Sequence, residues 1–102
     1  MADSLEKVKH QVWQIVNSIP KGKVATYGQV ARLAGMPQQS RLVGRILSKL
    51  PEGTKLPWHR VINSQGKISN PNQEIQKERL AKDGITLLNG KVSLKNYGWI
   101  TD

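Results

Sequence analysis

Gly35-Met36-Pro37 interrupts what would otherwise be one long helical pattern, and this break constrains the chain more than any other stretch. Ahead of it, Thr26-Tyr27-Gly28-Gln29 carries the capping-box pattern, in which Thr26 accepts from the backbone at a helix start and Gln29 reaches back. A short helix through Val30, Ala31, Leu33 and Ala34 is predicted to follow, with Gly35 as its left-handed C-terminal cap and Pro37 preventing continuation. The second helix is predicted from about Gln38 to Lys49. Leu42, Val43, Ile46, Leu47 and Leu50 form its apolar side, while Gln38, Arg41, Arg45 and Ser48 share the other. Two helices joined by a tight Gly-containing turn make a helix-turn-helix candidate. Gly44 inside the second helix costs roughly 1 kcal/mol against Ala, which close approach by DNA or by a neighbouring helix would offset.

The charge balance suits such a unit. Lys and Arg number 16 against 7 Asp and Glu, a net charge of +9 on 102 residues, and polyanions are the expected partners of so basic a chain. The absence of cysteine excludes disulfides, thiolate metal sites and thiol catalysis together. His10 and His59 are isolated and make no metal-ligand spacing, so neither a metal nor another cofactor is expected. Asp3, Glu6, Lys7 and Lys9 interrupt any apolar run at the start, and nothing approaches a membrane span. The reading is one domain, residues 1–102, of a monomeric cytoplasmic protein with access to the nucleoid.

Elsewhere the pattern is as follows. Asp3-Ser4-Leu5-Glu6 has capping-box form, and Leu5, Val8, Val12, Ile15, Val16 and Ile19 recur at helical spacing until Pro20-Lys21-Gly22-Lys23 turns the chain. Val24-Ala25 is a short extended link, and Pro51 to Lys55 is a loop. Val61-Ile62, Asn63 to Gly66 and Lys67-Ile68 suggest a small hairpin or turn. Asn70 is a plausible N-cap with Pro71 at the first helical position, and the helix runs to about Lys82 before Asp83-Gly84. Ile85 to Leu88, Asn89-Gly90 and Lys91 to Leu94 predict a hairpin with a type I′ turn. The fold class is α+β with helices dominant: a winged-helix-like helix-turn-helix domain with a small β-hairpin.

Three segments then fall into one pattern: Tyr27-Gly28, Arg41-Leu42-Val43-Gly44, and Leu56-Pro57-Trp58-His59-Arg60-Val61-Ile62. They resemble the O6-alkylguanine-DNA alkyltransferases, whose active loop has cysteine between Pro and His, and Arg41 precedes Trp58 by 17 positions as in that family. The resemblance covers roughly Leu5 to Trp99. At the cysteine position this chain has Trp58, whose indole cannot act as a thiolate nucleophile. The pattern is therefore similar to that of the alkyltransferase-like proteins, which bind alkylated guanine and leave the alkyl group in place.

That resemblance implies a set of roles. No residue is catalytic. The partner is double-stranded DNA containing alkylated guanine, with hand-off to nucleotide excision repair proteins. Arg41 would fill the stack after the base is extruded and Tyr27 would crowd the neighbouring phosphate, with Thr26, Gln38, Gly44, Arg45 and Ser48 completing the DNA contact. Trp58, Pro57, His59, Tyr27 and Asp83 would form the lesion pocket, Trp58 offering a π surface to the base and Asp83 standing where the enzymes carry a glutamate. Two features depart from the enzymes. Leu50-Pro51 replaces an Asn-Pro hinge, and Ser69-Asn70-Pro71 replaces a Gly-Gly-Tyr lid, leaving the register open between Asn70 and Gln76. Residual alkyl transfer to His59 and a sequence-reading winged-helix regulator are the alternative functions.

Overall fold

The Thr26 hydroxyl accepts the backbone N–H of Gln29 at 3.0 Å, so the cap written in the sequence starts a helix where it was expected. The structure is a computed structural model that describes residues 2–101. In order it contains α1 (Ala2–Asn17), β1 (Ala25–Thr26), α2 (Tyr27–Leu33), α3 (Ser40–Ser48), a 3-10 turn (Trp58–Arg60), β2 (Val61–Ile62), α4 (Gln73–Lys82) and α5 (Leu94–Tyr97). The architecture is mostly helical, with α1, α2 and α3 packed around Val12, Val16, Val30, Val43 and Leu47. Val24, Ile62, Leu80, Ile85 and Val92 form a second cluster beneath α4. Among the described residues no helix is long and apolar enough to cross a membrane.

Several expectations are corrected. The first helix already includes Ala2, ahead of the expected Asp3 cap; the side chains of Asp3 and Ser4 lie outside the described residues. Leu5, assigned to the apolar stripe, is half exposed. The Gln29 side chain does not reach back to Thr26; its amide donates to the Trp99 carbonyl at 2.8 Å, tying α2 to the C-terminal segment. The second helix begins at Ser40, which leaves Gln38 in the preceding turn.

The β structure differs most. Val61-Ile62 pairs in parallel with Ala25-Thr26, in the register Ala25↔Val61 and Thr26↔Ile62. Of the hairpin or turn expected after Ile62 the structure has the turn, closed by the Lys67 and Gln65 backbone N–H groups on Asn63 Oδ1, and Lys67 forms an isolated antiparallel bridge with Lys91. Asn89-Gly90 does form the tight turn, with φ of 54° and 74°, and Leu88 and Lys91 exchange both backbone hydrogen bonds. No regular strands extend from it, because the Ser93 hydroxyl accepts from Asn96 N–H and caps α5 where a strand was expected. The small sheet is thus a parallel pair and not a hairpin. α4 also starts later than Asn70: that side chain accepts from the Asn72 N–H at 2.9 Å, a local turn that delays the helix to Gln73.

Candidate nucleic-acid interface

The polar side of α3 forms one wall of an open groove of about 520 Å³. Tyr27, Arg41, Gly44, Arg45 and Ser48 line it, and the Asn63-Ser64 turn and Ser69-Asn70-Pro71 form the facing wall. Five of the residues assigned to DNA contact therefore share one surface. Thr26 lies elsewhere, in a shallow pocket with Gln29 and Trp99, and Gln38 does not line the groove. Arg41 and Arg45 are exposed, and neither has an ion-pair partner among the described residues.

Two glycines on this surface are not demanded by the fold. A Cβ at Gly44 would meet only the Tyr27 ring, at 3.8 Å, and one at Gly28 only the Thr26 hydroxyl, at 3.9 Å; both are ordinary contacts. Neither residue has a positive φ. Contact with a neighbouring helix is thus not what requires a glycine at position 44.

Across Ser48 lies a second cavity, of about 300 Å³, which Ser48 shares with the groove. Trp58 forms part of its wall, with Leu47, Leu50, Pro51, Ile75 and Arg79. The indole is only 7% exposed. The Arg79 guanidinium carbon lies 5.4 Å from the ring centroid, a cation-π contact. The open π surface expected of Trp58 is therefore largely covered in the free protein. Pro57 and His59 face a different opening, beside Arg60 and Arg79, and Tyr27 faces the groove, so the five residues assigned to the lesion pocket do not line one cavity. Asp83 lines none of the three and instead supports the loop from behind.

That support is a buried ionic clamp. Asp83 Oδ2 accepts from His59 Nε2 at 2.9 Å and from Arg60 Nε at 2.7 Å, while Oδ1 accepts from Arg60 Nη2 at 3.2 Å. Arg60 Nη1 donates to the Ile19 carbonyl at 2.8 Å, so a single guanidinium joins the turn after α1 to the C-cap of α4. Burial pushes the His59 imidazole below its ordinary 6.5, and the hydrogen bond and charge of Asp83 offset only part of that. Burial also acts to raise Asp83, but the hydrogen bonds from Arg60 and His59 outweigh it and hold the carboxyl below 3.8. An ionised Asp83 only accepts, so neutral His59 carries its proton on Nε2 and leaves Nδ1 without a proton or a partner.

Sequence reasoning missed Arg79 and Gln76, both on α4. Arg79 precedes Asp83 by one helical turn and so shares its face, a signal available once Asp83 had been singled out. Among the described residues no cluster of His, Asp and Glu could hold a metal ion.

Comparison with known proteins agrees with this fold. The model of the DNA-binding domain of 6-O-methylguanine DNA methyltransferase matches residues 7–85. A Vibrio parahaemolyticus protein named DNA base-flipping protein is 50% identical over 92 residues, covering 87% of this chain and 92% of that protein. Alkyltransferase-like protein 1 of Schizosaccharomyces pombe is 41% identical over 98 residues, covering 87% of this chain and 91% of the relative. The crystal structure of S. pombe Atl1 in complex with damaged DNA containing O6-carboxymethylguanine superimposes with a TM-score of 0.89 at 38% identity, covering 94% of this chain and 97% of that one. By this match of sequence and fold, the chain belongs to the family of the 6-O-methylguanine DNA methyltransferase DNA-binding domain.

Proposed function

We propose that this protein binds duplex DNA along α3, rotates an O6-alkylated guanine out of the stack and holds it at the Trp58 cavity without removing the alkyl group. The observation that carries the proposal is Trp58 itself, set on a buried turn at the wall of a cavity that adjoins the basic groove. With no cysteine in the chain, no thiolate is available to accept an alkyl group. The likeness to a protein named for base flipping and to one crystallised on damaged DNA supports the same reading.

Magnitudes suggest how selectivity arises. Extruding a base costs a few kcal/mol, and stacking on an aromatic returns about 1–3 kcal/mol. If the base takes the face now held by Arg79, a cation-π contact of about 0.5–2 kcal/mol is given up. For an unmodified guanine the two costs together exceed the stacking gain, so extrusion stays unfavourable. An alkyl group gains about 0.8 kcal/mol for each methylene buried against Leu47, Leu50 and Ile75, which favours the modified base. Arg41 fills the vacated stack, Tyr27 crowds the adjacent phosphate, and Arg45 anchors the backbone without sequence information. The held lesion then marks the site for nucleotide excision repair proteins, with the chain acting as a monomer at the nucleoid.

A gel-shift titration of one duplex carrying O6-methylguanine or guanine at the same position tests this. Tighter binding of the modified duplex, repeated in an unrelated sequence context, is expected. Preference for one undamaged sequence regardless of alkylation would identify a sequence-reading regulator instead.

A further inference from the structure

Gln76 is fully buried on α4, yet it belongs to neither apolar cluster. Its side-chain amide donates to the His59 carbonyl at 3.1 Å and to the Val61 carbonyl at 3.0 Å, gripping the backbone on both sides of Arg60. Two carbonyls facing the amide fix its orientation, since the reversed group would set oxygen against oxygen. The price is an orphaned Gln76 Oε1, buried with no partner. A residue chosen only to fill space would carry no such polar atom.

The position of these bonds matters more than their number. α4 has little apolar anchorage, with Gln76 and Leu80 as its buried residues. Ile75, adjacent to Gln76, and Arg79, one turn on, both line the Trp58 cavity, and Arg79 covers the indole. His59 is the residue next to Trp58. Gln76 thus ties the body of the helix that supplies one wall of the cavity to the turn that supplies the other, beside the Asp83 clamp at that helix's C-cap.

We propose that Gln76 is a positioning residue of the lesion pocket: by holding the His59 and Val61 carbonyls it sets α4 against Trp58, and so sets the cavity's preference for an O6-alkylated guanine over guanine. This rests on the lesion-binding function proposed above. Gln76 acts through Ile75, Arg79 and Trp58 and need not touch DNA.

The test is fluorescence anisotropy with paired duplexes, O6-methylguanine against guanine, for the wild-type chain, Gln76→Met and Gln76→Lys, with thermal melting alongside. Met keeps the volume and loses both donors, whereas Lys keeps donors that reach the two carbonyls. The expected result is a roughly tenfold loss of lesion preference in Gln76→Met, affinity for the unmodified duplex within about twofold, and recovery of most of the preference in Gln76→Lys. Should Gln76→Met not fold, Gln76→Asn takes its place, since its amide is one methylene too short to reach both carbonyls. An unchanged preference in the donor-less variant would overturn the proposal, as would an equal loss of preference in Gln76→Lys. Failure of the wild-type chain itself to prefer the modified duplex would overturn the underlying lesion-binding function, and the role of Gln76 with it.

Discussion

Arg41 and Arg45 on α3 have no carboxylate partner among the described residues, whereas Arg60 is held by Asp83 and by the Ile19 carbonyl. The groove and the Trp58 loop meet at Ser48, yet they use cations in opposite ways. Along α3 the guanidinium groups remain in water, where a phosphate can displace ions from around them at little cost. Behind Trp58 a guanidinium is bound internally and fixes the turn that carries the indole. An exposed positive surface confers affinity for any duplex. Selection for a lesion needs the rigid surface next to it.

Breaking the internal cation should have the largest effect. Arg60→Ala leaves Asp83 buried without its guanidinium, a loss of about 3–5 kcal/mol, and at ~4–8 °C per kcal/mol the melting temperature should fall by more than 10 °C. Arg45→Ala, by contrast, should change stability by less than about 0.5 kcal/mol. Comparable melting of the two variants would erase the distinction between the two regions.

Within the groove a finer contrast is expected. Arg41→Ala should weaken binding of a lesion duplex by about 2 kcal/mol, roughly 30-fold, because the extruded base then leaves an unfilled stack. Arg45→Ala should weaken modified and unmodified duplexes by the same smaller factor. Both are measured by paired titration, and identical behaviour would make Arg41 one more phosphate contact.

The clamp should also respond to acid. The folded state holds His59 below its ordinary 6.5, so the unfolded chain binds a proton first and stability declines as pH falls below 6.5. Asp83 is held below 3.8, so its contribution is present above 3.8 and is lost as pH falls further. Urea denaturation from neutral pH to about pH 5 should show the first decline, and His59→Gln should flatten it. The smallest change concerns Gly44→Ala. Stability should rise by as much as about 1 kcal/mol, since the Cβ has room beside Tyr27, while DNA affinity falls. A variant that gains stability without losing affinity would show that DNA does not approach Gly44.

Much of this contrast was legible in the sequence, and what was not has a common cause. The Thr26 cap, the Gly35 break and the Arg41/Arg45 face depend on residues within a few positions of one another, and the structure has them. The partner of Val61-Ile62 lies at Ala25-Thr26, a parallel pairing across most of the helix-turn-helix that no local pattern encodes. Asn89-Gly90 specified its turn correctly, yet Ser93 further along capped a helix where a strand was expected. The spacing to Asp83 pointed to the face of Arg79, but its contact with Trp58 was not legible, for the same reason. Its place over Trp58 depends on how α4 docks, and α4 docks largely through the Gln76 amide and the Asp83 carboxylate, whose partners are distant in sequence.

The most direct measurement of the central claim is the emission of Trp58 during binding. The chain has three tryptophans, and Trp13→Phe with Trp99→Phe leaves Trp58 as the sole reporter. A flipped guanine that takes the place of Arg79 on the indole should quench this emission on titration with an O6-methylguanine duplex. The unmodified duplex, bound through α3 alone, should change it little. Emission that stays constant while the modified duplex binds would contradict the account, because the base would then be held somewhere other than at Trp58.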